Sequence, residues 1–474
     1  MRVWLAIVVG KICAFASRFL KRGGGSSLPG ALARRIEPRI LIRLFEKAAM
    51  TSIIITGSNG KTTTARMVAE VLNRNGLRIV WNRSGANMVN GIISALIERC
   101  DIWGSLVADV AVLEVDEANL RHVIAAVKPK LVLVTNCFRD QLDRYGEVDT
   151  TLELIRVALK DAPAGSTLLL NADDPLVAGL APGGGCKTLF YGVESLDSAP
   201  GYAPEVDTSE YRPQDARNCP CCGAYYEYSL TTYGHLGKYR CPRCFSSRPV
   251  PDFRATNVVV QGVHGSVFTV AFEHDPEDDF IEASLGLPGL YNVYNCLAAV
   301  ACCLVLDIPK KVIEEGIAKS TSAFGRMETI RIGEKNVLLA LVKNPVGFNE
   351  VIQTIASDGS RKTLVVCLND NFADGRDISW IWDVDMERLS RHPSLIHSII
   401  ASGTRAEDMA LRLKYTGIGE EKIDVEPGLD RALELGLGKL APGETLYVLP
   451  TYTAMLEIRE HIRRRSHAKE FWRA

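Results

Sequence analysis

The sequence has almost no net charge, no long apolar run and no internal repeat or low-complexity tract. Its 55 Lys and Arg residues nearly balance 56 Asp and Glu residues, for a formal net charge of −1. No overall field therefore favours nucleic acid or an anionic membrane as a partner. A transmembrane helix needs about 20 uninterrupted apolar residues, and no stretch supplies them. With 47% apolar and 23% charged residues, the composition is that of an ordinary soluble globular protein.

A disulfide framework is excluded too, because 13 cysteines are too few to hold together 474 residues. Four of them form two C-x-x-C pairs, and the others are scattered singly through apolar stretches. This usage predicts a reducing, cytoplasmic compartment and one metal site. The length predicts two or three domains with sizeable cores.

The first 48 residues are predicted to form a helical segment. An apolar stretch ends at Gly10, and Lys11 separates it from a second one. We predict an amphipathic helix that either packs on the body of the protein or contacts a membrane surface, which would bring the chain to the inner face of the cell membrane. The basic residues on or near one side of this helix are Lys11, Arg18, Lys21 and Arg22.

Short apolar runs alternate with helical stretches from residue 49 onward, which indicates an α/β fold with a parallel sheet covered on both faces. The alternation breaks between about Ser195 and Phe253, a stretch rich in Pro, Tyr, Cys and Gly, and a second alternating set begins after Gly325. We therefore predict a central domain (49–324) with an insertion (about 205–252), and a C-terminal Rossmann-like α/β domain (325–474). The strand candidates are 52–56, 77–81, 110–115, 131–135, 168–171, 337–342, 363–368, 398–401 and 445–449.

A strand, a glycine-bearing turn and a helix start give the strongest local signal. Gly57 and Gly60 let backbone N–H groups curl around phosphate oxygens, and the helix N-terminus adds partial positive charge. Lys61 would reach the outer phosphates and the Thr62 hydroxyl would bind Mg²⁺. Ile55 stands where the strict Walker pattern requires Gly, so the motif is the shorter G-x-x-G-K-T. A chance turn is the alternative, but the flanking strand and helix favour phosphate binding.

Two C-x-x-C pairs separated by eighteen residues have the spacing of a Cys₄ zinc ribbon. Four thiolates would leave no open position, so the zinc would be structural; unpaired thiols in a loop are the alternative. The predicted ligands are Cys219, Cys222, Cys241 and Cys244, with Cys221 as the spare thiol. Although aromatic and basic residues lie nearby, the ribbon is short and the chain is neutral, which argues against nucleic-acid binding.

Six short motifs resemble those of the Mur ligases and folylpolyglutamate synthases, and they follow one another along the chain in the same order as in that family. They are the loop at 57–63, Glu114 at a strand end, T-N with D-x-x-D at 135–143, N-A-D-D-P at 171–175, G-x-x-N-x-x-N at 289–295 and G-R-x-E at 325–328. The resemblance implies a Mur ligase central ATP-binding domain. It implies that ATP and its Mg²⁺ are bound by Gly57, Asn59, Gly60, Lys61, Thr62, Thr63, Glu114, Asn292 and Arg326. Thr62 and Glu114 would hold the metal.

Two departures from the Mur pattern bear on the reaction. The family's D-H-x-D reads D-Q-L-D at 140–143, so Gln141 supplies no imidazole. The D-x-x-H-x-P segment that begins the last domain of many Mur ligases is replaced here by K-N-P at 343–345. Both changes argue against the usual addition of an amino acid to a carboxylate.

The whole chain resembles the MurT-like group of this family, which shares the cysteine insertion. Shared segments include 82–87, 138–141, 343–345 and 368–383. The resemblance implies ATP-dependent amidation of the D-glutamate α-carboxyl of lipid II, in peptidoglycan biosynthesis, with ammonia from a GatD-like glutaminase subunit in a heterodimer. It implies that Asp377 completes the catalytic Cys-His pair of that partner. A loop cap is the alternative for Asp377, because aspartate is common in such turns.

Two other functions are compatible with parts of the pattern. One is an amino-acid-adding ligase of the Mur or folylpolyglutamate type, against which the K-N-P replacement argues. The other is a non-catalytic nucleotide-binding zinc-ribbon protein, against which Glu114 and Arg326 argue. The chain has no glutaminase signature of its own, which supports a separate partner subunit.

Overall fold

The computed structural model describes residues 1–19, 27–48, 50–82, 86–139, 148–181, 184–197, 216–272, 280–320 and 325–466. The D-Q-L-D segment at 140–143 and the predicted start of the insertion at residue 205 lie outside these residues, as do Lys21 and Arg22. The division of the chain after residues 48 and 324 stays a prediction.

Three sheets are present in the described part of the chain. The strands are β1 (Thr51–Thr56), β2 (Ile79–Trp81), β3 (Val110–Glu114), β4 (Leu131–Val134), β5 (Thr167–Asn171), β6 (Lys187–Val193), β7 (Glu227–Thr231), β8 (Gly237–Arg240), β9 (Phe253–Val260), β10 (Ser266–Phe272), β11 (Phe280–Leu285), β12 (Arg326–Ile332), β13 (Lys335–Ala340), β14 (Lys362–Cys367), β15 (Ile396–Ser402), β16 (Ile423–Val425) and β17 (Thr445–Pro450).

Helices connect these strands and cover the sheets. They are Arg2–Phe19, Leu28–Ile36, Ile40–Lys47, Lys61–Arg74, Val89–Arg99, Leu120–Val127, Val148–Lys160, Pro175–Ala178, Leu290–Val305, Lys310–Ala318, Pro345–Ala356, Ala406–Lys414, Leu429–Gly438 and Tyr452–Ser466. Three of them recur below: Arg2–Phe19 is called the N-terminal helix, Lys61–Arg74 the phosphate-loop helix and Pro345–Ala356 the interdomain helix.

The central sheet has nine strands in the order β11-β10-β9-β6-β5-β4-β1-β3-β2. Its pairs from β9 to β2 are parallel, and β10 and β11 add an antiparallel edge. Successive side chains of a strand point to opposite faces, so Ile53 and Ile55 pack in one core and Ile54 packs in another. The predicted parallel sheet with two covered faces is therefore confirmed.

The chain leaves the central sheet after β6 to form the cysteine insertion and returns to the sheet at β9, next to β6. β6 and β9 are parallel neighbours, with Tyr191 paired to Phe253. The chain between them carries the antiparallel hairpin of β7 and β8. This hairpin and the cysteines that flank it are together called the zinc hairpin. The insertion therefore adds a module without interrupting the sheet.

The second sheet has the order β12-β13-β17-β14-β15-β16, and all its pairs are parallel except β12 with β13. The predicted second α/β unit is confirmed. β12 was not among the strand candidates, because its sequence R-M-E-T-I-R-I mixes charged and apolar residues as a half-buried edge strand does.

The N-terminal helix packs on the body of the protein with one face only. Its buried residues are Ala6, Ile7, Gly10 and Ala14. The opposite face is apolar rather than basic, so the predicted amphipathic pattern is wrong. Its exposed apolar residues are Trp4, Leu5, Ile12 and Phe15. Within the described residues, no helix combines the length and the apolar character needed to cross a membrane.

Candidate active site

The phosphate loop joins β1 to the phosphate-loop helix through two glycines. Gly57 (φ 118°) and Gly60 (φ 87°) lie in the left-handed region, which glycine adopts at little cost. A Cβ on Gly57 would lie 2.4 Å from Thr135 Oγ1, and one on Gly60 would lie 2.1 Å from Asn295 Oδ1. Both positions therefore need glycine for backbone conformation and for space.

The segment that follows β4 holds the loop in place. Thr135 Oγ1 donates a hydrogen bond to the Asn59 carbonyl oxygen at 2.7 Å, and the Asn59 N–H donates to Asn136 Oδ1 at 2.9 Å. Ser58 Oγ donates to the Phe138 carbonyl oxygen at 2.9 Å and accepts from its N–H at 3.0 Å. The loop is thus preorganised from the neighbouring strand end.

Lys61 brings a buried positive charge to the loop. Its ammonium group donates to Glu117 Oε1 at 2.8 Å and to the Gly57 carbonyl oxygen. Burial lowers the pKa of Lys61, but Glu117, together with Glu114 and Asp116, raises the pKa above its usual value. The lysine therefore stays protonated despite its burial.

Thr62, Glu114 and Arg326 meet beside the loop. Thr62 Oγ1 donates to Glu114 Oε1 at 3.1 Å and accepts from Arg326 Nη2 at 3.3 Å. Burial raises the pKa of Glu114, while the charges of Lys61 and Arg326 act in the opposite direction. A hydroxyl and a carboxylate in contact fit Mg²⁺, which prefers hard oxygen ligands. Thr63 is buried beside them in the first helical turn.

The second α/β unit contributes more to this loop than the sequence motifs suggest. Lys343 Nζ lies 3.4 Å from the Ser58 carbonyl oxygen, and Asn344 Nδ2 donates to Asn59 Oδ1 at 3.1 Å. Asn344 Oδ1 also accepts from the Gly347 N–H at 2.8 Å and caps the interdomain helix. In the sequence this segment stood out as a departure from the Mur pattern and as a likeness to the MurT-like group, without a predicted contact to the loop. Its position just after β13, near the carboxyl ends of parallel strands, was a usable signal.

Asn295 lies next to the loop, and the predicted Asn292 contacts Asn295. Asn292 donates to the Pro288 carbonyl oxygen at 2.7 Å and accepts from Asn295 Nδ2 at 3.0 Å. Asn295 in turn faces Gly60. The motif G-x-x-N-x-x-N places both amides on one helix face, but the sequence did not indicate which of them points at the phosphate loop.

The N-A-D-D-P motif holds the zinc hairpin against the central sheet. Asp173 is buried and accepts from Arg248 Nε and from the Tyr294 hydroxyl, both at 2.5 Å. Asp174 is buried as well, and its Oδ1 lies 3.1 Å from His235 Nε2. Both carboxylates are therefore used in packing, and no contact with the phosphate loop is recorded for them among the described residues.

The four predicted zinc ligands form one cluster. Their sulfur atoms all lie within 4.8 Å of one another, with Cys219 Sγ 3.5 Å from Cys244 Sγ and Cys222 Sγ 3.4 Å from Cys241 Sγ. A tetrahedron with Zn–S bonds of about 2.3 Å has sulfur atoms roughly 3.8 Å apart. The cluster therefore fits a structural zinc ion, and Cys221 lies outside it.

Two of these thiols are biased towards the thiolate that binds metals. Burial raises the pKa of Cys219, but hydrogen bonds from the backbone of Cys221 and Cys222 bring the pKa down to about 6. Hydrogen bonding from the Cys244 backbone lowers the pKa of Cys241. The backbone of each knuckle thus prepares a negative sulfur.

Asp377 is exposed, in the segment between β14 and β15. Its Oδ1 accepts from the Ser379 N–H at 2.9 Å. Hydrogen bonds from Ser379 lower the pKa of Asp377, so this carboxylate is anionic at neutral pH. The local turn expected of a loop cap is present, and the exposed carboxylate remains accessible from outside the chain.

Phosphate loops occur in several enzyme classes, and the rest of the fold indicates the class of this chain. Residues 55–211 match the family model of the Mur ligase middle domain. A pseudomurein peptide ligase type C from Methanothermus fervidus superposes with a TM-score of 0.64 at 23% identity, covering 89% of this chain and 80% of that one. The fold is that of the Mur ligases, a class of ATP-dependent enzymes.

Sequence comparison identifies the branch of this class. Residues 341–455 match the family model of the MurT ligase C-terminal region. The chain is 36% identical to the lipid II isoglutaminyl synthase (glutamine-hydrolyzing) subunit MurT of Streptococcus pneumoniae, over 96% of this chain and 97% of that protein. Identity to the corresponding Staphylococcus aureus subunit is 34%, over 98% of each chain. The chain belongs to the MurT family.

Proposed function

We propose that this chain is the ligase subunit of a lipid II isoglutaminyl synthase in peptidoglycan biosynthesis. It uses ATP to convert the α-carboxyl of D-glutamate in lipid II to an acyl phosphate. Ammonia from a GatD-like glutaminase subunit then displaces phosphate and gives D-isoglutamine. The observation that carries this proposal is the likeness to MurT subunits over 96% of the chain, with the phosphate loop, Glu114 and Arg326 assembled in one place.

The charges around the loop suit phosphoryl transfer. A carboxylate is a poor electrophile, and phosphorylation gives its carbon a leaving group. ATP supplies the phosphoryl group, and Mg²⁺ bound by Thr62 and Glu114 would offset its negative charge. Lys61, Arg326 and Lys343 place positive charge around the same loop, where charge develops in the transition state.

Other residues would position the nucleotide rather than change its charge. The backbone N–H groups from Gly60 to Thr63, at the start of a helix, would face the phosphates. Asn295 and its partner Asn292 would orient the nucleotide beside Gly60. Ammonia arrives as a neutral nucleophile, so the chain needs no general base for the attack.

Asp377 would act on the partner subunit rather than on lipid II. An exposed, anionic carboxylate can accept the N–H of a histidine and hold the imidazole in the tautomer that activates a cysteine. Within the described residues, its side chain accepts hydrogen bonds from the neighbouring Ser379. The zinc ion would be structural, and the chain would work in the cytoplasm at the inner face of the membrane that carries lipid II.

The test compares two nitrogen sources in the heterodimer, with lipid II, ATP and Mg²⁺. Asp377→Asn should lose glutamine-driven amidation by about 10²-fold or more, yet keep the wild-type rate with ammonium, as measured by product mass and ADP release. Asp383→Asn, a nearby exposed carboxylate, is the matched control and should keep both activities.

Each other result has a definite meaning. Failure of wild type with both nitrogen sources would refute the amidating ligase. Glutamine-driven activity in Asp377→Asn would leave Asp377 as a loop cap. Loss of that activity in Asp383→Asn instead would transfer the role to Asp383. A product carrying an added amino acid would identify the conventional Mur reaction.

A further inference from the structure

We propose that the N-terminal helix and the loop 101–107 form a docking surface for an anionic phospholipid bilayer. The purpose of this surface rests on the proposed function, because lipid II is a membrane lipid. The surface itself rests on the exposure, position and charge of the residues described next.

The N-terminal helix is apolar on two opposite sides. One side is buried through Ala6, Ile7, Gly10 and Ala14. At about 100° per residue, the other side carries Trp4, Leu5, Ile12 and Phe15, which are 41%, 44%, 64% and 71% exposed. A helix that faced only water on that side would carry polar residues there.

A loop from the body of the protein lies beside the helix and exposes further apolar side chains. Ile102, Trp103 and Val107 are 49%, 68% and 64% exposed. Gly104 fixes the loop next to the helix, since a Cβ there would lie 2.9 Å from Ile7 Cδ1. Lys47 Nζ also donates to the Trp103 carbonyl oxygen at 3.3 Å. Helix and loop thus lie side by side, and their exposed apolar residues, called the patch below, include two tryptophans, the side chain that favours the membrane interface.

Charge identifies the occupant of this patch. Residues 1–48 contain ten Lys and Arg but only two Asp and Glu, whereas the whole chain has a net charge of −1. The basic charge is thus concentrated in the segment that bears the apolar face, and Arg2 and Lys11 lie on the helix itself. An apolar helix face with flanking cations binds at the boundary of anionic headgroups and acyl chains.

A second copy of this chain is a poorer occupant for the same reason. Apposing two patches would bring two strongly basic segments together, and their repulsion would oppose association. An anionic bilayer offers both a negative surface and an apolar layer.

The test measures co-sedimentation of the full-length chain with vesicles of phosphatidylcholine alone or mixed equally with phosphatidylglycerol. Wild type should bind the anionic vesicles, and Trp4→Gln/Phe15→Gln should bind about tenfold more weakly or worse. Leu411→Gln/Leu435→Gln also removes exposed apolar side chains from helices, at 49% and 39% exposure, and should bind like wild type. Arg2→Gln/Lys11→Gln should bind at least about tenfold more weakly at low salt.

Amidation of detergent-dispersed lipid II separates this inference from the proposed function. Trp4→Gln/Phe15→Gln should match wild type there and fall behind only with substrate in vesicles. Vesicle binding that is absent in wild type, or equal in all variants, overturns the docking surface. A concentration-dependent dimer that the Trp4 and Phe15 changes abolish would assign the patch to a second copy instead. Absent amidation by wild type refutes the proposed function and leaves the vesicle result standing.

Discussion

Gly60 combines two constraints that can be measured separately. Its φ of 87° costs any other residue conformational energy, and its missing side chain leaves room for the Asn295 amide. Gly443 shares the first constraint, with a φ of 84°, but not the second, because a Cβ there meets no atom within 4 Å. The two glycines are therefore a matched pair for separating backbone strain from steric exclusion.

We expect Gly60→Ala to lose nucleotide affinity by about tenfold or more, because the Cβ displaces Asn295 from the loop. Gly443→Ala should lower the free energy of unfolding by about 1–2 kcal/mol and leave nucleotide affinity unchanged. Calorimetric titration with an ATP analogue and thermal unfolding of both variants measure the two effects. Equal nucleotide affinities in the two variants would contradict the steric role of Asn295.

Lys343 is the third cation at the loop and comes from the second α/β unit. Lys343→Gln should lower the turnover of ADP release by about 10–10³-fold, as expected when one charge at a developing phosphoryl anion is lost. The binding affinity for ATP should change much less. Lys319→Gln, an exposed lysine of the central region, controls for charge removal alone. A loss of ATP affinity without a loss of turnover would show that Lys343 only binds.

The role of a single residue was predictable where the residues in contact belong to recognised sequence motifs. The loop glycines, Lys61 and Thr62 lie within six positions of sequence, and the Thr62–Glu114 contact joins two recognised motifs. Asn295 and Lys343 reach the loop through tertiary packing, from 235 and 285 positions away along the chain. Spacing alone carries no information on such contacts.

The zinc hairpin is an element whose own core is too small to fold alone. β7 and β8 make a two-stranded sheet, which is marginal in water without added support. The four thiols and the buried contacts of Asp173 and Asp174 supply that support. The hairpin should therefore depend on its metal while the central sheet does not.

Replacement of one ligand tests this dependence. Cys222→Ser should lower the zinc content from about one ion per chain to a small fraction, since a structural site needs four ligands. Hydrogen exchange should accelerate in β7 and β8 and stay slow in β1 and β4. Cys221→Ser lies one position away, outside the cluster, and should keep its zinc. Zinc loss in both variants would contradict the ligand assignment.

Elements were predictable where burial is uniform along their length. β1, β3 and β4 are buried almost throughout, and their continuous apolar runs marked them in the sequence. The prediction failed for the N-terminal helix because this helix has apolar residues on two faces. The sequence does not show which of these faces packs on the protein and which is exposed. Periodicity detects apolar character but does not identify what covers it.

The interdomain helix joins the two large α/β units. Val346 packs in the core of the central sheet, and a Cβ on Gly289 would lie 3.0 Å from Thr354 Oγ1. Glu350 is buried on this helix, and its Oε2 has no hydrogen-bond partner among the residues that the structure describes. Burial raises the pKa of Glu350 to about 8, although Arg388 acts in the opposite direction.

This carboxyl should make stability fall as pH rises. Between the usual pKa of 4.5 and about 8, the folded chain keeps a proton that the unfolded chain releases. The free energy of unfolding therefore decreases with pH across that window, by at most about 1.4 kcal/mol per pH unit, and levels off above it. Glu350→Gln should flatten this slope in thermal unfolding followed from about pH 5 to pH 9. An unchanged slope would show that Glu350 is ionised in the folded chain.

The adjacency of β6 and β9 sets an order of assembly for the chain. Their pairing must close a loop of the intervening residues 194–252, and loop closure costs more entropy as the loop lengthens. A zinc ion held by the cluster of Cys219, Cys222, Cys241 and Cys244 would shorten the free part of that loop. The last parallel pair of the central sheet should therefore form faster on a metal-loaded nascent chain, so zinc supply would govern the folding rate as well as the stability of the hairpin.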